Sequence, residues 1–250
     1  MIKSKSLSKF KDINHGFFNR NGGSSKGIYK SLNCGTGSND KKKYINKNFK
    51  IVSNKIGCSK KRLVTLNQMH SNKFYFINKV PKNKLKGDGL ITKKKFIALC
   101  ILTADCAPVL IYDPINKLIA AAHVGWKGAY KKIIIKIIKR LINIGSKKKD
   151  LVVVIGPCIA RNSYEVKKDF KNKFIQQDRR NTMFFKNQCG KIYFSLRDYI
   201  SDQIVNFGIK KVELIKKDTY IKKNNFFSSR KSKKNKENDY GRNISLIMIK

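Results

Sequence analysis

Between residues 98 and 130 the chain changes character, and this stretch constrains the fold more than any other. It carries the only tryptophan and seven of the eight alanines. Three apolar runs follow one another, 98–102, 109–112 and 118–122, separated by the polar turn Thr103-Ala104-Asp105-Cys106 and by Asp113-Pro114. Each run is too short for a helix and is bounded by turn residues, so each predicts a buried strand. Continuous apolar strands that end in reactive side chains are a common way for α/β proteins to present a site. Cys106 stands at one such end, and His123 stands at another, in the sequence His123-Val124-Gly125-Trp126-Lys127-Gly128.

The flanking segments supply the rest of a mixed α and β chain. Residues 41–57 place Ile45, Phe49, Val52 and Ile56 at helical spacing, with Gly57 as a C-terminal cap. The clearest helix is predicted over 129–143, with Tyr130, Ile134, Ile137, Ile138 and Leu141 on one face and lysines on the other. A basic amphipathic helix can bind membranes, but packing against a core is the commoner use. Further helices are predicted over 164–174 and 196–207. Strands are predicted over 63–66, 74–77, 90–92, 151–155, 212–215 and 244–249, and a glycine-rich segment over 13–33 reads as a short strand entering a polar loop. At 250 residues the chain suits one domain spanning 1–250. Mobility is expected at its first dozen residues and in a lysine-rich loop at 231–239. No apolar run is long enough to cross a bilayer, and the N-terminus lacks a hydrophobic signal region, so a cytoplasmic protein with no membrane partner is expected. The six cysteines show no C-x-x-C pair and read as reduced thiols.

A formal net charge of +42 would ordinarily point to nucleic acid. Here Lys (48), Ile (32) and Asn (24) are raised together along the whole chain while Arg is held to nine. All three favoured residues have A/T-rich codons. The lysines therefore read as a solvated coat set by genome composition, and no specific nucleic-acid partner is expected. An arginine kept against that background marks a place where a planar, forked cation is needed. Arg20, Arg230 and Arg242 all lie beside glycine or aromatic loop residues.

Catalytic zinc takes three nitrogen, sulfur or oxygen ligands and keeps a place for water. His70, Cys106 and His123 would make such a set, but they are far apart in sequence. Each also has a plain reading, as a strand-end polar residue, a packed thiol and a core histidine. Asp105, beside Cys106, reads equally as a proton carrier or orienting group and as a turn cap.

The segments HGFFNRNGGSS, NQMHS, GDGLIT, LTADCAPVLIYDP, AAHVGWKGAY, VIGPCIARNSYEV and FFSSRK with GRN, in that order, resemble the YfiH/YlmD family over nearly the whole chain. That resemblance implies an α+β fold in one domain, a layered α/β/β/α sandwich similar to chemotaxis glutamine deamidases and the catalytic domain of cytotoxic necrotizing factor. It also implies that His70, Cys106 and His123 bind one zinc ion. Asn19, Ser71 and Lys231 depart from the family's usual residues, which bears on substrate affinity and leaves all three ligands in place.

The family carries two labels. A multicopper polyphenol oxidase would need on the order of ten imidazole ligands, and this chain has three histidines, so a laccase is disfavoured and copper is expected at most as an incidental occupant of the zinc site. The other label is purine nucleoside phosphorylase, acting on adenosine, inosine and S-methyl-5′-thioadenosine with phosphate, together with adenosine deamination. Phosphorolysis needs an anion site, for which Arg20, Arg230, Lys127 and Arg242 are candidates, with the amides of residues 125–128. Arg230 and Asp105 are the candidate catalytic residues. The usual zinc deaminase signature, H-x-E with P-C-x-x-C, is absent. Two other readings stay open: a metal-free hydrolase or amidase with Cys106 activated by His123, and a basic nucleic-acid-binding protein.

Overall fold

The computed structural model describes residues 1–250. In chain order it contains β1 (Ile13–Phe17), α1 (Lys42–Ile56), β2 (Leu63–Val64), β3 (Phe74–Phe76), β4 (Gly89–Thr92), β5 (Ala98–Thr103), β6 (Ala107–Asp113), β7 (Leu118–Val124), α2 (Trp126–Tyr130) and α3 (Ile133–Asn143). There follow β8 (Val152–Ile155), β9 (Glu165–Val166), α4 (Lys168–Gln177), β10 (Phe185–Gln188), β11 (Lys191–Phe194), α5 (Leu196–Asn206), β12 (Lys211–Leu214), α6 (Ser229–Lys234) and β13 (Asn243–Ile249).

Two sheets carry the architecture. One has the order β1-β13-β5-β2 and the other β12-β8-β6-β7-β4-β3. Because successive strand side chains point to opposite faces, the apolar runs split their residues between layers. Ala98, Cys100 and Leu102 of β5 pack with Ile244, Leu246 and Met248 of β13 against Ile45, Phe49, Val52 and Ile56 of α1. The alternate residues Leu99, Ile101, Ile247 and Ile249 face the other sheet, meeting Leu110, Tyr112, Ile119, Ala121, Val152 and Val154. The far face of that second sheet, with Val109, Ile111, Ala120, Ala122, Val153 and Ile155, is covered by α3 and α5. The order of layers is thus helix, sheet, sheet, helix, as the family resemblance implied. The central strands lack polar alternation because both of their faces are covered.

Ile133, Ile134, Ile137, Ile138 and Leu141 of α3 are buried, each worth roughly 1.5–3 kcal/mol of burial. The helix predicted as one unit over 129–143 is nevertheless two. Lys132 adopts a left-handed φ of 55°, which turns the chain so that the isoleucine face of α3 lies on the sheet instead of continuing the direction of α2. The helix predicted over 164–174 begins only at Lys168, since Tyr164 ends a 3-10 turn and Glu165–Val166 pair with β11. The hairpin β10–β11 was not anticipated: Lys186, Asn187 and Gln188 are exposed and polar, which leaves its first strand without an apolar pattern.

The first dozen residues, expected to be mobile, are packed. Ile2 bridges Phe17, and Ser4 and Leu7 are fully buried. Of the lysine-rich loop expected over 231–239, the first part continues α6, capped by the Ser228 hydroxyl accepting from Lys231 N. The glycine-rich segment after β1 is held by the buried Asn48 of α1, whose side chain accepts from Ser24 N at 2.7 Å and donates to Asn33 O at 2.7 Å. All six cysteines are free. No helix is long and apolar enough to cross a membrane.

Candidate metal centre and adjoining cavities

At one end of the sandwich the loops opening β6 and closing β7 come together. In the β6–β7 ladder Pro108 is opposite His123, so the thiol of Cys106, two residues before Pro108, and the imidazole of His123 face the same side. His70 arrives from the loop after β2. That loop is fixed by Gln68, whose amide donates to Leu102 O at 2.7 Å and accepts from Leu102 N at 2.8 Å, mimicking a strand beside the end of β5. One ligand atom each of His70, Cys106 and His123 lies within 4.8 Å of the others. Cys106 Sγ is 3.8 Å from His70 Nε2, and the two imidazole rings meet edge to face with centroids 4.7 Å apart.

Asp88, fully buried, organises this cluster. Its Oδ1 accepts from His123 Nδ1 at 2.8 Å, which turns His123 Nε2 toward the cluster. The same carboxylate accepts from His70 N at 3.0 Å, Ser71 N at 2.6 Å and Ser71 Oγ at 2.7 Å. Burial pushes the Asp88 carboxyl up, but the hydrogen bonds from His123 and Ser71 outweigh it and hold its pKa near 2. His70 sits at a φ of 56°, and these bonds stabilise that uncommon backbone. Burial also raises the Cys106 thiol, yet His123 and the hydrogen bonds from His123 and His70 more than offset it, so the thiolate is favoured.

Whether these residues fit a metal can be read from Gly125. Its φ of −79° suits any residue, but a Cβ there would stand 2.9 Å from both Cys106 Sγ and His70 Cδ2. Glycine leaves space there for the Cys106 thiol and the His70 ring to stand side by side, and with His123 they make a donor set suited to zinc and other borderline cations. The third histidine is not part of it. His15 is buried in β1 and accepts from Ser4 N at 2.9 Å. With two imidazoles at the cluster, the ligands of a multicopper centre are not assembled.

Two cavities border the cluster and share His70, Ala104, Cys106 and Tyr240 as a common wall. The larger, 330 Å³, also has Asn67, Gln68, Thr103 and Arg242 in its lining. The smaller, 240 Å³, has Trp126, Tyr164, Arg230 and Lys233. Arg230 holds its guanidinium 5.3 Å above the Tyr164 ring. Its backbone N–H bonds to Asp105, and its side chain has no hydrogen-bond or carboxylate partner within the chain.

The other sequence candidates divide. Arg242 lines the larger cavity while donating to Tyr240 O at 2.8 Å and pairing with Asp239 at 3.5 Å. Arg20 reaches neither cavity: it donates to the carbonyls of Lys30 and Ile28 and stacks 4.5 Å from the Phe227 centroid, so it clasps the glycine-rich loop. Lys127 also lies outside both linings, its amine 5.6 Å from the Trp126 ring centroid. Asp105 is buried, with Oδ1 accepting from Thr219 Oγ1 and Oδ2 from Arg230 N, both at 2.7 Å. Sequence reasoning missed Asp88, although one signal was available. The chain has 15 acidic residues against 57 basic ones, so an acid between two glycines, as in Gly87-Asp88-Gly89, is worth explaining.

The fold and the cluster define a class: a layered α+β protein with a His-Cys-His site able to hold a metal ion at the mouth of its sheet sandwich. The chain belongs to the family described as multi-copper polyphenol oxidoreductase laccase, matching it over residues 14–250. A Rickettsia conorii protein named purine nucleoside phosphorylase is 33% identical over 235 residues, covering 89% of this chain and 97% of that protein. A Bacteroides thetaiotaomicron protein of the same name is 33% identical over 245 residues, covering 92% and 91%. Among solved structures, Bacillus licheniformis YfiH superposes with a TM-score of 0.88 at 27% identity, covering 95% of this chain and 93% of that one. YlmD from Geobacillus stearothermophilus has the same fold, with a TM-score of 0.88 at 22% identity over 96% and 93% of the two chains.

Proposed function

We propose that this chain is a purine nucleoside phosphorylase of the cytoplasm, and that His70, Cys106 and His123 hold one zinc ion. The observation that carries this reading is the unpartnered guanidinium of Arg230 on a cavity that shares His70 and Cys106 with the metal cluster. A forked cation with free donors is what a phosphate oxyanion requires, and the names of the relatives point to the same chemistry. When bound, zinc supplies a Lewis acid that stabilises negative charge. The protein's own residues do the rest. Asp88 keeps His123 in one tautomer, Arg230 holds phosphate, and Trp126 with Ile159 and Leu196 offers apolar surface to a purine. The Asn67 amide and the Thr103 hydroxyl suit ribose hydroxyls.

The test is to incubate the purified protein with adenosine, inosine and S-methyl-5′-thioadenosine, with and without phosphate, and identify products by mass. The expected outcome is free base and sugar 1-phosphate only when phosphate is present. Conversion of adenosine to inosine regardless of phosphate would make deamination the primary activity. The Arg230→Lys protein should show a phosphate KM raised about tenfold.

A second reading is favoured by one observation: Asp88, His123 and Cys106 stand in a row of the kind that activates a thiol nucleophile. Metal analysis combined with thiol alkylation separates the two, since a bound ion shields Cys106 and a free nucleophile is alkylated at once.

A further inference from the structure

Building on the phosphorolytic reading, the geometry points to Asp105 as a positioning residue that fixes Arg230 for phosphate, and not as a proton carrier. Both carboxylate oxygens are committed. Oδ1 accepts from Thr219 Oγ1 and Oδ2 from Arg230 N, each at 2.7 Å, and the Asp105 carbonyl accepts from Ile159 N at 2.9 Å. One residue thereby ties together the turn that carries Cys106, the loop after β8, the loop after β12 and the first turn of α6.

Its backbone shows why an acid stands there. Asp105 has a φ of 88°, an uncommon conformation for a residue with a side chain, tolerated best by Asp and Asn after glycine. Asp105 makes that turn together with the bond to α6, whereas glycine would make the turn alone. Arg230 is then held at two points, with its N–H on Asp105 and its guanidinium over Tyr164. The guanidinium N–H donors stay free toward the cavity. Arg20 and Arg242, by contrast, spend donors on backbone carbonyls.

The test is a double-mutant cycle read by calorimetric titration with inorganic phosphate, so that it does not depend on turnover. Asp105→Asn keeps the shape and the left-handed preference but replaces the charged acceptor of Arg230 N with a neutral amide oxygen, while the Thr219 hydroxyl turns to accept from the new N–H₂. It should weaken phosphate binding about tenfold, with metal content unchanged. On an Arg230→Gln background, where no cation remains to be positioned, the same change should have less than about a twofold effect. Thr219→Val removes one of the two bonds, guards against failure of Asp105→Asn to fold, and should give a smaller loss with the same dependence on Arg230. Multiplicative losses in the cycle would overturn the assignment, as would unchanged phosphate affinity in the folded single variants or a parallel fall in metal content. Wild-type protein that binds phosphate but cleaves no nucleoside would sink the phosphorylase reading and leave this one standing. Wild-type protein that binds no phosphate would end this one.

Discussion

His15 and His123 are both buried strand residues, 2% and 3% exposed, and the corners of the molecule around them have opposite characters. His15 is a neutral acceptor. It takes the N–H of Ser4, its burial and the nearby Lys3 depress its pKa to about 4, and it fastens the N-terminal segment to β1. His123 is a donor. Its Nδ1–H bonds to the charged Asp88, its other nitrogen turns to Cys106 and His70, and Asp88 and the Cys106 thiolate raise its pKa despite burial. Burial alone therefore does not separate a structural histidine from a candidate ligand. The carboxylate behind the ring does, because it sets the tautomer and the direction in which the free nitrogen points.

The sharpest way to break this contrast is at the cluster itself. Cys106→Ala should remove bound metal and turnover entirely while the chain stays folded, measured by metal analysis and by nucleoside cleavage. Full activity in that variant would reject the metal reading.

Asp88→Asn comes next. The amide leaves His123 Nδ1 and the N–H groups of the His70 loop without a full acceptor, so metal affinity should fall by about 100-fold. Competition with a chelator measures this, and an unchanged affinity would show that the ring orientation is set by something else.

At the other corner the readout is stability. His15 has a folded pKa of about 4 against an ordinary 6.5, so the unfolded chain takes up a proton that the native state refuses. The stability it contributes is present above pH 6.5 and is lost as pH falls from 6.5 through about 4, amounting to at most roughly 3 kcal/mol. Urea midpoints at several pH values should show this slope in the native protein and a flatter one in His15→Gln.

The smallest effect is expected from Gly125→Ala. The added methyl would stand 2.9 Å from Cys106 Sγ and His70 Cδ2, and a modest shift of those side chains should lower metal affinity about tenfold with little change in melting temperature. A variant as competent as the native protein would mean that the cradle is looser than its geometry.

Much of this was legible along the chain. Residues 98–102, 109–112 and 118–122 announce buried strands because covered strands need no polar alternation. The isoleucines of α3 mark its inner face before any neighbour is known. The break at Lys132 was not legible, since it follows from how α3 must lie on the sheet. Nor was the β10–β11 hairpin, whose first strand is mostly exposed and polar and carries no period.

What the residue pattern determined by itself is the set of elements and the kinds of donor available: apolar runs of strand length, amphipathic helices, and a thiol and imidazoles at strand ends. Tertiary structure alone decided which donors meet. Arg20 and Arg230 look alike in sequence, each in a loop beside aromatic residues. Folding sets one on the carbonyls of its own loop and leaves the other open to a cavity. His70, Asp88, Cys106 and His123 come from separate loops and strand ends, and the pairing of β4, β6 and β7 is what brings most of them within bonding distance. Local propensity acts over a few residues, whereas a site is a set of distances between residues far apart in the chain, and those exist only once the sheets have packed.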